Sequence, residues 1–168
     1  MIKADFKKLE EIKNLFTTEP YTLLSKIQWE KSGRELSDCG RNILKEVERI
    51  RNDARKMRIT FLKGRQELDQ ITFAFDEIAK NFDFFFDTSL RWIRSVIDGN
   101  VYEEHQILLK KGVESLVEHC RQAIDYLANI ISFKRNDYWQ YRNLSWIKAA
   151  VIIAIMTLII VVINLIKS

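Results

Sequence analysis

The 168-residue sequence holds one proline, five glycines and two cysteines, and each scarcity removes a class of structure. So few turn formers cannot punctuate a sandwich or a barrel, and with 30% charged residues the composition is that of an all-α chain of long helices. Cys39 and Cys120 have no CxxC spacing, so no disulfide framework or zinc ribbon is expected and both read as small core or seam residues. A Gly-rich phosphate loop, a serine elbow and an HExxH motif are all missing. His105 and His119 stand fourteen residues apart, roughly 21 Å along one helix, too far to share a metal within one chain. Neither has Glu three residues before it, the spacing of di-iron bundles, nor the arginine four to six residues upstream that small helical ribonucleases use. The expectation is a non-enzymatic protein with no cofactor and no bound metal.

The first residues, MIKADFKKLEEIKNLF, are amphipathic rather than apolar, so no secretory signal is expected. The one long apolar run lies at the other end, WIKAAVIIAIMTLIIVVINLIKS, in which only Thr157 and Asn164 are polar between Ala149 and Ile166. As a helix it is roughly 27 Å long, near the hydrocarbon thickness of a bilayer. Lys134, Arg135, Arg142 and Lys148 precede it and only Lys167 follows, which predicts a single-pass, tail-anchored protein with its N-terminal domain in the cytoplasm. In a bacterium that membrane would be the inner one. Tyr138, Trp139, Tyr141 and Trp146 supply half of an aromatic belt at the same interface. Three regions follow: a cytosolic helical bundle over residues 1–137, a juxtamembrane aromatic and basic segment over 138–146, and a transmembrane helix over 147–166.

Within the soluble part, Ile2, Phe6, Leu9, Ile12, Leu15 and Phe16 form one apolar stripe of a first helix that should stop at Thr17-Thr18-Glu19-Pro20. A second helix from Pro20 to about Lys31 would bury Leu23, Leu24, Ile27 and Trp29, with a break near Ser32-Gly33. Gly40, Val47, Ala54, Phe61, Leu68, Phe75 and Phe82 then hold one heptad position. Ile43, Ile50, Met57, Gly64, Ile71, Ile78 and Phe85 hold the position three residues later, a coiled-coil-like seam. Asp98-Gly99-Asn100 marks a turn, so a helix from Val101 should return antiparallel, with Leu109, Val113, Leu116, Cys120, Ala123, Leu127 and Ile130 facing the seam. That register fails at Lys134-Arg135-Asn136-Asp137, read as a juxtamembrane joint. The expected fold is an antiparallel long-helix bundle with heptad packing plus one C-terminal transmembrane helix.

Charge is uneven along the seam. Nine Lys/Arg face three Asp/Glu between Arg41 and Arg65, whereas six acids stand against Lys80 alone between Glu67 and Asp87. A fold-back at Lys63-Gly64 would match the two arms; a straight helix would explain the unbroken register, and the register favours the straight version. Antiparallel pairing about Gly99 would then place Trp146 level with about residue 52. The basic residues Arg41, Lys45, Arg49, Arg51, Arg55, Lys56 and Arg58, with Lys134, Arg135, Arg142 and Lys148, would meet anionic lipid at the membrane surface, each cation contributing about 1 kcal/mol. Nucleic acid is a poor partner for them, because only Phe61 interleaves aromatically.

Two further groups stand out. Phe82, Phe84, Phe85 and Phe86, with Trp92, are either a partner-binding patch or a widened core. Asn143, Ala150, Thr157 and Asn164 recur every seven residues with Ala154 on the same side, the small and weakly polar stripe that close helix association or a pore in lipid requires. Two functions are compatible with these features. One is a homo-oligomeric effector whose cytosolic domain gathers its membrane helices into a pore, by analogy with toxin-like components of bacterial defence. The other is a membrane-tethered adaptor or fusion protein that binds a cytosolic partner through its helical domain.

Overall fold

The computed structural model describes residues 2–15, 23–58, 64–97 and 102–167. Those residues form α1 (Ile2–Asn14), β1 (Leu23–Leu24), α2 (Lys26–Lys56), α3 (Gly64–Arg94), β2 (Val96–Ile97) and α4 (Glu104–Lys167), so the fold is helical apart from one short strand pair. The expected Thr17-to-Pro20 stop, Phe61 and the Asp98-Gly99-Asn100 turn lie outside the described residues.

The start of α2 differs from the sequence expectation. Ser25 has an extended backbone, φ −61° and ψ 147°, and its hydroxyl accepts the Gln28 N–H at 3.4 Å. It is an N-cap, so the helix can begin only after it. Leu23 and Leu24 instead pair in parallel with Val96 and Ile97, and Ile27, expected in the core, is 80% exposed. No break occurs at Ser32-Gly33, because α2 runs through it. Gly33 is there for closeness: a Cβ would collide with the Trp92 ring and lie 3.0 Å from Leu109.

The middle of the chain is not one straight helix. α2 ends at Lys56 and α3 begins at Gly64, and the chain folds back between them, so that Met57 and Leu68 share one apolar cluster and the Trp92 and Trp29 rings stack at 4.2 Å. The intervening residues 57–63 number seven, one whole heptad, so the register on either side stays in phase although the helix does not continue. Of the expected seam positions, only Ile71 and Phe75 are half-buried among the described residues, and the rest are buried. The seam closes within a single chain.

α4 completes the core. Its first turn reaches Glu30 near the start of α2, Cys120 Sγ donates to Gly40 O at 3.4 Å, and Lys134 Nζ donates to Met57 O at 3.4 Å near the end of α2. The level of α2 thus rises along α4, while α3 runs back against both. Val113, Val117, Cys120, Ile124, Leu127 and Ile131 are buried in this core. α1 lies over α2 and α3, burying Leu9 and Ile12, with Lys13 3.4 Å from Asp87 and stacked over Phe84.

Gly33→Ala and Gly40→Ala should each destabilise the bundle by about 1–3 kcal/mol, since a Cβ at Gly40 would lie 2.5 Å from Leu116 and overpack the seam. Thermal unfolding followed by circular dichroism measures the loss.

Candidate functional site

Three structural stations lie along α4. The first is a polar cap at the start of the helix. The buried Gln106 accepts the Glu103 backbone N–H at 3.0 Å, half of a capping box, and donates to Glu30 Oε1 at 2.8 Å. His105 contacts the same carboxylate at 2.8 Å, and Lys26 pairs with Glu103. His105, then Gln106, hold the Glu30 carboxyl below its ordinary range, and the ammonium of Lys26 does the same for Glu103. His119 is exposed. Nothing in the sequence periodicity pointed to Gln106, which is polar yet buried.

The second station is the aromatic core. Phe85 and Trp92 are fully buried, Phe82 is buried, and Phe84 and Phe86 are half-buried against them. Phe82 packs on Phe85 and Phe86 with centroids 6.4 and 5.9 Å apart. Trp92 Nε1 donates to Trp29 O at 2.9 Å. The phenylalanine run is therefore core, shared between the α2–α4 seam and the underside of α1. Cys120 belongs to the same core, and burial pushes its thiol up to about 12, so it stays protonated and inert.

At the third station the bundle ends and α4 does not. Met57, Leu68 and Tyr138 form a small cluster beside Ile71. Lys134 and Tyr138 extend the buried face of Leu127 and Ile131 by one step of three and one of four. The expected joint at Lys134 to Asp137 is thus helix, held by a lysine that caps a carbonyl at the end of α2. Trp146 stands eight residues beyond Tyr138, about 12 Å further along the axis, and is not level with residue 52.

This geometry separates the basic residues. Arg41 pairs with Asp38 at 2.7 Å, Arg49 with Glu46 at 2.9 Å and Asp53 at 3.4 Å, and Arg51 with Glu48, all within α2. Arg55 donates to the Tyr126 hydroxyl at 3.3 Å. Lys45, Lys56, Arg58, Arg135 and Lys148 are exposed, and Arg142 stacks on Trp139 at 5.2 Å. Gly40 meets Cys120, so its neighbour Arg41 lies on the order of 40 Å along the axis from Lys148. Of the basic residues between Arg41 and Arg58, Lys56 and Arg58 come nearest the Tyr138 level, since they flank Met57.

Beyond the bundle, α4 is long and apolar enough to cross a membrane, and that window is wholly unburied. Asn143, Ala150, Ala154 and Thr157 are exposed there, while the Asn164 side chain lies outside the described residues. Thr157 Oγ donates to Ile153 O at 2.9 Å, so its hydroxyl proton is used inside the helix and its oxygen remains an acceptor. At about 100° per residue, Thr157 sits roughly a quarter turn from the face of Cys120 and Ile131, so the stripe does not prolong the buried side of α4.

Comparison with protein-family models, with curated proteins and with solved structures found no match.

The depressed carboxyls of Glu30 and Glu103 mean that the folded chain binds fewer protons than the unfolded chain through the acid range. Their stabilisation is present above the ordinary carboxylate pKa and is lost as pH falls through the lowered one. Glu30→Gln should therefore lower the melting temperature at neutral pH, with the difference from the parent narrowing on acidification. A pH series of thermal melts measures it.

Proposed function

We propose that this protein is a non-enzymatic membrane effector. α4 crosses the bilayer, the bundle sits on the cytoplasmic face, and self-association gathers the apolar helices so that the membrane becomes permeable. The observation that carries this reading is that α4 is one helix from Glu104 to Lys167. Its first half is core of the bundle and its second half is bare apolar surface, an arrangement that is costly in water and favourable in lipid.

Several features support the orientation and the setting. Lys134, Arg135, Arg142 and Lys148 precede the proposed span, and Trp139 and Trp146 are exposed at the same end. Within hydrocarbon, a helix satisfies its own backbone, and Thr157 satisfies its hydroxyl as well. Of the phenylalanine-rich group on which the adaptor reading leaned, Phe82, Phe85 and Trp92 are buried and Phe84 and Phe86 are half-buried against them, which supports the effector reading over it. With the seam closed inside one chain, self-association must use other faces. The comparison to toxin-like components of bacterial defence remains an analogy of design: a cytosolic helical trigger on a short membrane helix.

Vesicles loaded with a self-quenched dye test the proposal. Reconstituted full chain should release the dye at high protein density, and Thr157→Leu with Asn164→Leu should reduce release to that of empty vesicles. An intact bilayer at every density of the unmodified protein would overturn the permeabilising reading.

A further inference from the structure

We infer that α4 pairs in parallel with α4 of a second copy, along a single uncharged face that runs from the side of the bundle into the apolar end. The inference rests on the reading of α4 as a membrane span and names the surface through which self-association occurs.

The face is found by stepping along α4 in alternate intervals of four and three residues. From Leu108 to Asn143 these steps touch eleven positions, every one of them exposed, and none is Asp, Glu, Lys or Arg. The remaining positions of the same segment carry ten charged residues, from Lys110 to Arg142. Its central members are Gln122, Tyr126, Asn129, Phe133, Asn136 and Gln140. Phe133 is 65% exposed and Tyr126 49% exposed, on the side of α4 opposite Ile131 and Leu127. Continued in the same steps, the face passes through Asn143, Ile147, Ala150, Ala154, Thr157 and Val161. On a straight helix this stripe drifts by about 20° per heptad, so the small stripe of the apolar end continues the bundle surface once the two helices coil left-handedly about each other.

The chemistry of the face selects its occupant. In a parallel, in-register pair each residue meets its own copy, so a charge would face a like charge. A carboxamide both donates and accepts, so Asn and Gln are complementary to themselves. Tyr126 and Phe133 give the aromatic area that an exposed helix would otherwise show to water without return. A soluble partner can cover only the bundle part of the face. A second copy held in the same bilayer and pointing the same way covers both parts. The period of 3.5 residues gives the pair a left-handed crossing, the geometry in which such a face stays in contact over many turns.

Oxidative cross-linking of full-length protein in phospholipid vesicles tests the inference. Cysteine is placed singly at Asn129, Asn136 and Gln140, on the face, and at Ser132 and Arg135, off it; Cys39 and Cys120 are buried and stay silent. Disulfide-linked dimer should form several-fold more at the first three positions, and Asn129→Lys with Asn136→Lys should suppress dimer formed through Gln140→Cys while leaving helicity unchanged. Integrated protein with no dimer, with dimer regardless of phase, or with dimer only through Ala150→Cys and Ala154→Cys overturns the inference alone. Carbonate extraction on the same vesicles reports integration, and protein that washes off overturns the membrane reading together with it.

Discussion

Continuity of α4 is the constraint on which the rest of the structure depends. Between Val113 and Lys167 the sequence has neither proline nor glycine, the residues at which helices ordinarily kink. The backbone ladder that satisfies the apolar half therefore runs straight into the half clamped by α2 and α3. Val113, Cys120, Leu127 and Ile131 hold that clamped half, Gln106 and Glu30 fix its first turn, and Lys134 and Tyr138 hold it where α2 ends. A helix anchored at these levels has no slack: its rotation in the bundle is its rotation at the apolar end.

The clamp is made by closeness more than by charge. Gly33 admits the Trp92 ring, Gly40 admits Leu116 and Phe85, and Cys120 is small enough for its thiol to reach the Gly40 carbonyl. Fully buried Trp92 and Phe85 each contribute about 1.5–3 kcal/mol of transfer free energy. The ion pairs of α2 are exposed and local, of a kind worth about 0–1 kcal/mol each, so they shape solubility rather than the fold.

Heptad periodicity made the core legible in the sequence, because apolar spacing is a direct consequence of helix packing. It named Ile43, Val47, Ile50, Phe82 and Phe85 correctly as seam residues. Periodicity is blind to a reversal whose connection is one heptad in length, which is why the fold-back between Lys56 and Gly64 read as straight helix. It is blind also to side chains that act by hydrogen bonding. Ser25 ends one conformation and starts another, Gln106 is buried through its amide, and half-buried Lys134 lies on the inward side of α4 by capping Met57. Gly33 was misread as a break because a glycine needed for close approach and one needed for a turn look the same in sequence. The uncharged face of α4 was half visible, in the stripe from Asn143 onward. Its bundle half is polar, and an apolar pattern search passes over it.

If bundle and apolar end are one rod, the residues between them should behave as helix when the protein sits in a membrane. Amide hydrogen exchange of the full chain in phospholipid nanodiscs measures this over residues 132–148. Slow exchange through the whole segment, comparable to that of Val117 to Leu127, is the expected result. Rapid exchange at Lys134 to Trp146, flanked by protection on both sides, would show a flexible joint and contradict the coupling of bundle to span.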